Sequence, residues 1–326
     1  MCDTAQHITL PHLWIFGGRE SVQEPCIHTL ALLSFEVGQR VAPVPLATHG
    51  AAALLLAESG SEDLAAVWLP GAASGEQVLT VALSEERSHL PARPVTTASS
   101  SGSGWSVSGA KSLVRAGTDA AAYLVSASTA EGVGVFLVAA DAAGVRTTAG
   151  RTSDGDTVAR VDLEEAAGTL VGSLDGSTAR RLGDLVTVTT GAELLGITEG
   201  ALRLTAQYAK TREQFGRPIG TFQAVSQRLA DGYIDVLGQR LTLWSAAWRL
   251  AEGLPAETEV AIAKLWAADA AHRLAHTTVH VHGGVGIDLD GEAHRYFTTA
   301  KRLEFAFGGT TEQALAIGRV LAAEPA

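Results

Sequence analysis

The sequence predicts an α+β protein: a short N-terminal helical segment, an antiparallel β domain, and a C-terminal bundle of four long helices. Two observations carry this. Apolar residues recur at three- and four-residue spacing before position 75 and again after position 177. The stretch between is rich in Val, Thr and Ser and is broken by Gly. These changes of texture give expected domain boundaries of 1–75, 76–172 and 173–326. The 326 residues, 46% hydrophobic and 18% charged, are enough for two domains or one large core.

The elements follow in order. "CIHTLALLSFEVGQRV" and "ATHGAAALLLAESGSEDLAAVWLP" read as two helices separated by Pro43 and Pro45. "QVLTVALSE", "GWSVSGAKSLV", "AAYLVSAS", "GVGVFLVAA" and "TVARVDLEEA" read as strands, and "PARPVTTASSSGSG", residues 91–104, as a flexible loop. Helices are expected at about 178–210, 219–251, 256–281 and 292–321; their short connections indicate antiparallel neighbours. No internal repeat is visible.

Composition excludes several classes. The net charge of −11, from 24 Lys+Arg against 35 Asp+Glu, comes without a basic cluster, so nucleic acid is not an expected partner. Cys2 and Cys26 form neither a metal spacing nor a disulfide framework, which fits a reducing cytoplasm. "MCDTAQHITLPHLW" lacks the basic and apolar regions of a signal peptide. No apolar run approaches the ~18 residues of a membrane helix. His272, His276 and His280 fall at i, i+4 and i+8, but they spread over two turns without a carboxylate or thiol partner. No metal site is expected there; packing or subunit contact is.

The densest chemistry is "TREQFGRPIGTFQ", residues 211–223, between two long helices. Arg212 offers a planar fork for two phosphate oxygens. Phe215 can cover an adenine or ribose, and Gly216 lets the backbone approach closely. Pro218 suits the first turn of the following helix, with Gln223 one turn later. In "VHVHGGVGI", Gly283, Gly284 and Gly286 offer backbone N–H groups to the same ligand end. Alone, the first stretch reads as a helix connection with a structural salt bridge; the two together favour a nucleotide.

These segments carry a resemblance. "YAKTREQFGRPIGTFQAVSQRLAD" resembles the bundle motif of acyl-CoA dehydrogenases, R-x-Q-F-G-x-P-I followed by F-Q. "VHVHGGVGI" is similar to their Q-x-x-G-G-x-G motif, with His280 in place of Gln. "RYFTTAKRLEFAFGGTTEQ" resembles the segment where an Ala-Lys pair precedes G-T-S-E. "GWSVSGAKSLVRAGTDAAAYLV" resembles a β-domain motif G-x-x-x-x-G-x-K, and "VAPVPLATHGAAALLLAESGSE" the family's N-terminal helices. The resemblance runs in the family's order from about residue 28 to the end. It implies an acyl-CoA dehydrogenase-like fold with a truncated N-terminal helical domain. It further implies FAD lying across a subunit boundary, α,β-desaturation of an acyl-CoA thioester, and an electron-transfer flavoprotein as acceptor. The cofactor residues it implies are Arg212, Gln214, Phe215, Ile219, Phe222, Gln223, His280, Gly283, Gly284, Thr310 and Glu312.

The resemblance also shows what is missing. Desaturation needs a base for the α-proton. The family's glutamate stands immediately before G-T, where this chain has Gly308, and its alternative position falls on Val186. Asp184 and Glu193 lie nearby as expected surface or capping charges. No catalytic residue is therefore expected in this chain. Leu113, Val114 and Arg115 replace the Trp-Ile-Thr that lines the flavin ring; Ser84 and Glu85 remain from a second ring loop. The preserved ADP half and eroded ring half resemble the short, non-catalytic partner subunit of bacterial α2β2 enzymes that act on steroid side-chain CoA thioesters. Two other readings stay open: a homo-oligomeric enzyme repurposed for another flavin or non-redox reaction, and a scaffold without nucleotide.

Overall fold

The computed structural model describes residues 26–102 and 104–323. The expectations for Cys2 and for a signal peptide lie outside the described residues. The described chain divides into two compact units, one holding residues 26–30, 47–150 and 157–186, the other 31–46, 151–156 and 187–323. The helical segment expected over 1–75 is thus shared between them.

α1 (Ile27–Gln39), α2 (Leu46–Ser59) and α3 (Glu62–Ser74) stand where two helices were expected. The extra break falls at Gly60 and Ser61, because the Ser61 hydroxyl caps α3 by accepting the Leu64 N–H at 3.3 Å. α2 buries nearly every residue from Ala47 to Leu56, so it is a core helix.

The sheet comprises β1 (Val78–Ala82), β2 (Thr97–Ser101), β3 (Gly104–Arg115), β4 (Ala120–Ser128), β5 (Val133–Ala139), β6 (Val145–Arg151) and β7 (Thr157–Val171). Pairing runs β4-β2-β3-β7-β5 and returns to β4, a closed circuit, with β1 added on β4 and β6 on β7. Two features depart from expectation. β1 pairs with β4 in parallel. The presumed loop at 91–104 contains β2, where Ala98 turns inward while the flanking Thr97 and serines face outward and their backbone pairs with β3. Val107, Tyr123, Val125, Phe136, Val138 and Leu163 fill the interior.

A buried ion pair pins this unit. Lys111 Nζ donates to Glu85 Oε1 at 2.8 Å and Ser126 Oγ at 3.2 Å. Glu85 also accepts from the backbone N–H groups of Val95 and Thr96. Burial would raise the Glu85 carboxyl, but Lys111 and those N–H groups outweigh it and bring it to about 2. Burial pushes Lys111 down to about 8 against the pull of Glu85.

The second unit is built around α4 (Ser177–Thr211), whose residues 187–198 are all buried. Glu193 is therefore an interior residue at 3% exposure, not the surface or capping charge expected; Asp184 is half-buried within α4 rather than at its end. α1 and α4 meet backbone to backbone: a Cβ at Gly38 would lie 2.0 Å from Glu193 O, and one at Gly196 2.0 Å from Phe35 O. α5 (Gln223–Ala251), α6 (Glu257–His282), α7 (Glu292–Phe305) and α8 (Thr310–Ala323) complete it. The single helix expected over 292–321 is two, broken at 306–309. α5 starts at Gln223, and Pro218 lies in a short strand ahead of it rather than in its first turn. Arg302 of α7 holds Asp154 at 2.6 Å and Asp156 at 3.0 Å. No helix among the described residues is long and apolar enough to cross a membrane.

Candidate functional site

α4 ends at Thr211 in a tight hairpin, β8 (Glu213–Gln214) and β9 (Arg217–Pro218). Its two turn residues, Phe215 at φ +55° and Gly216 at φ +76°, both have left-handed backbone, as a two-residue hairpin turn requires. Gly216 adopts it at no cost, whereas a bulky Phe does so under strain. Phe215 is also 93% exposed. Its ring meets Phe222 edge-on at 6.1 Å, and the Arg217 guanidinium lies 4.2 Å over the Phe222 ring. The Ile219 N–H closes the hairpin on Arg212 O at 2.8 Å, leaving the Arg212 side chain exposed. Gln214 Nε2 folds back on Glu213 O at 2.8 Å, and Gln223 opens α5 at the surface.

α6 ends beside this hairpin. His282 of α6 stacks on Tyr208 of α4, 4.3 Å between centroids and 22° between planes, with His282 Nδ1 2.8 Å from Thr278 O. The sequence reading missed this pair; the signal was an aromatic residue near the end of each helix. Gly283 at φ +64° closes α6, and a Cβ at Gly216, Gly283 or Gly284 would meet nothing within 4 Å. These glycines form an open backbone surface, with His280 exposed next to it. Gly286 differs from expectation: it is buried, and a Cβ there would lie 2.8 Å from Val279 O, so it serves packing rather than a ligand. Two guanidiniums and an exposed aromatic ring beside uncovered glycine backbone at one bundle end suit a dianionic ligand carrying a flat base, although the Gly283 N–H itself already bonds His280 O and Val279 O.

Thr310 and Glu312 are not brought to that end. They start α8, next to Lys264 near the opposite end of α6, and Lys264 and His280 are separated by about 24 Å along that helix. Glu312 Oε2 accepts the Gly309 N–H at 2.6 Å, the return half of a capping box. Gly308 has φ +100°, and Val186 is fully buried in α4. In the ring-side segment, Leu113 is 56% exposed at φ +53° and Arg115 is buried. His272 and Glu304 share Lys301, whose Nζ lies 2.9 Å from His272 Nδ1 and 2.6 Å from Glu304 Oε1. His276 packs edge-on against Phe297 at 5.4 Å. Among the described residues no three His, Cys, Asp or Glu side chains could hold a metal ion.

Comparison with known proteins settles the scaffold. The C-terminal domain of acyl-CoA dehydrogenases matches residues 187–322. Acyl-CoA dehydrogenase FadE27 of Mycobacterium tuberculosis is 48% identical over 302 residues, covering 89% of this chain and 79% of that protein. The chain belongs to the acyl-CoA dehydrogenase family. This family uses FAD, so the cofactor class follows with the membership. A chain of the ChsE4-ChsE5 complex from Mycobacterium tuberculosis superposes with TM-score 0.87 at 46% identity, covering 93% of this chain and 82% of that one. A variant of the Tcur3481-Tcur3483 steroid acyl-CoA dehydrogenase superposes with TM-score 0.87 at 38% identity, covering 91% and 81%. This acyl-CoA dehydrogenase chain therefore has the family's α+β architecture with most of each relative's length represented.

Proposed function

We propose that this chain is the partner subunit of a heteromeric FAD-dependent acyl-CoA dehydrogenase, that it holds the ADP end of the cofactor, and that another chain supplies the base. The observation that carries this reading is the turn at 305–309. Position 308, where the resemblance puts the base, is a buried glycine at φ +100°, and the alternative position is the buried Val186. Neither can take a proton.

The hairpin end fits the other half of the work. Arg212 would take the diphosphate with its planar fork, and the exposed Phe215 would cover the adenine or ribose. Ile219, Phe222 and Gln223 would border that base, with His280, Gly283 and Gly284 meeting the diphosphate from α6. When bound, FAD supplies the acceptor for the substrate's β-hydride. What this chain does is bind and orient that group; α-proton removal falls to the partner's carboxylate. Thr310 and Glu312, on the far side of the bundle, would meet a cofactor only at its other end.

Two further observations support an obligate partner. Ile234, Leu237, Leu241 and Trp248 of α5 are exposed at 62%, 42%, 73% and 50%. They follow one another at i, i+3, i+7 and i+14, an apolar helical stripe that fits a subunit contact. Two similar structures, ChsE4-ChsE5 and Tcur3481-Tcur3483, are two-component assemblies, and the second is a steroid acyl-CoA dehydrogenase. A steroid side-chain CoA thioester is accordingly the proposed substrate, and α2β2 the proposed assembly. The test is flavin retention in the co-purified complex: Arg212→Ala should release flavin while the assembly keeps its mass. Unchanged flavin content would sink the reading and leave the nucleotide-free scaffold.

A further inference from the structure

The proposed function leaves Lys264 unused, although it is the most thoroughly buried cation of the bundle, at 0% exposure. Its Nζ donates to Gly308 O at 2.9 Å, Glu304 O at 3.0 Å and Leu303 O at 3.4 Å. An ammonium has three donors, and three backbone carbonyls take them. Leu303 and Glu304 lie in the last turn of α7, where carbonyls have no partner within the helix. A side chain from α6 thus caps α7 and reaches past it to position 308.

The turn is held from its other side as well. Gln313 Nε2 donates to Phe307 O at 3.2 Å, and the Gly309 N–H bonds Glu312 Oε2 at 2.6 Å. Between these ties the backbone is left-handed at Phe307, φ +56°, and at Gly308, φ +100°. The second value is open to glycine and costly for any L side chain. A Cβ at 308 would also lie 2.7 Å from Gln313 Nε2.

We propose that Lys264, Glu312 and Gln313 form a latch that sets the turn between α7 and α8 and holds position 308 of this chain in a backbone that glycine adopts without strain and an L side chain does not. The missing base is then not a vacancy. The position has become structural, and a carboxylate placed there cannot restore catalysis in this chain. The inference rests on the partner-subunit reading for its meaning, but the latch itself rests on the geometry alone.

The test uses the co-expressed complex with Gly308→Ala, Gly308→Glu and Lys264→Met in this chain. Gly308→Ala should lower the melting temperature by about 3 °C or more. Lys264→Met should speed amide exchange at 305–313 while the rest of α6 and α7 keeps its protection, a pattern that general destabilisation would not give. Gly308→Glu should add neither flavin nor turnover when the partner's own base has been removed. The latch is overturned if Gly308→Ala leaves the melting temperature unchanged, if exchange in Lys264→Met rises uniformly, or if Gly308→Glu gains turnover. Should the chain alone prove to be a flavin-saturated homo-oligomer, the partner reading fails, while the melting and exchange results still decide the latch.

Discussion

The bundle carries the same local device twice. Phe215-Gly216 and Phe307-Gly308 are both Phe-Gly pairs with left-handed backbone, at φ +55°, +76° and φ +56°, +100°. Their surroundings are opposite. Phe215 is 93% exposed, and a Cβ at Gly216 would meet nothing within 4 Å. Phe307 is half-buried, and position 308 is tied to Lys264 and crowded by Gln313. One turn holds strain open toward solvent, where a ligand can use it. The other spends it on internal packing. Two turns with one backbone differ in exposure and crowding because of what the neighbouring helices send toward them.

This contrast can be broken in several ways, ordered by size of effect. A closed glycine is calibrated by Gly196, whose Cβ would sit 2.0 Å from Phe35 O with backbone on both sides. Gly196→Ala should cost about 3 kcal/mol or more, read by denaturant unfolding, because no flexible side chain can yield. Arg212→Ala at the open site should leave unfolding unchanged and weaken flavin binding about 30-fold, since a charge-assisted bond is worth about 2 kcal/mol. Phe215→Ala should leave stability level or slightly raised, as it removes an exposed ring from strained backbone. Flavin binding should fall by less than for Arg212→Ala, and a loss of folded protein would contradict the open-site account.

A pH dependence at the closed site is read separately from these substitutions. Burial pushes Lys264 down to about 7, with Glu312 and Glu304 pulling the other way. The folded state then binds fewer protons than the unfolded state between that value and the usual lysine range. Stability should rise with pH from about 7 toward about 10, the burial cost being complete below that window. Lys264→Met should flatten the rise, leaving the part that Lys111 contributes, which has the same sign. A stability profile unaltered by Lys264→Met would show that the ammonium is not under the strain its burial implies.

Much of this was legible in the sequence, and the failures have physical causes. The exposed places of Arg212, Phe215 and the Gly283-Gly284 pair are short-range signals, since the turn and the helix end that expose them are set by residues next to them in the chain. The break at 306–309 was passed over because the periodicity of "RYFTTAKRLEFAFGGTTEQALAIGRV" continues through it; Gly308-Gly309 and the Glu312 capping box were its local marks, while the tie from Lys264 comes from some 40 residues away. Gly286 resembles its neighbours in sequence but faces the Val279 backbone, which only the turn after α6 determines. The Ser-rich β2 read as a loop because its side chains are polar, while its backbone pairs with β3. Glu193 read as a surface charge because α4 alone gives no sign that it is enclosed along residues 187–198.

On the proposed division of labour, this chain holds half a flavin site and needs another chain for the rest. Native mass spectrometry with a visible absorption spectrum, on the chain alone and co-expressed with a catalytic acyl-CoA dehydrogenase, tests it most directly. The expected result is a colourless or insoluble chain alone and a complex of two unlike chains carrying one flavin per pair. A yellow homo-oligomer of this chain with one flavin on every copy would contradict it.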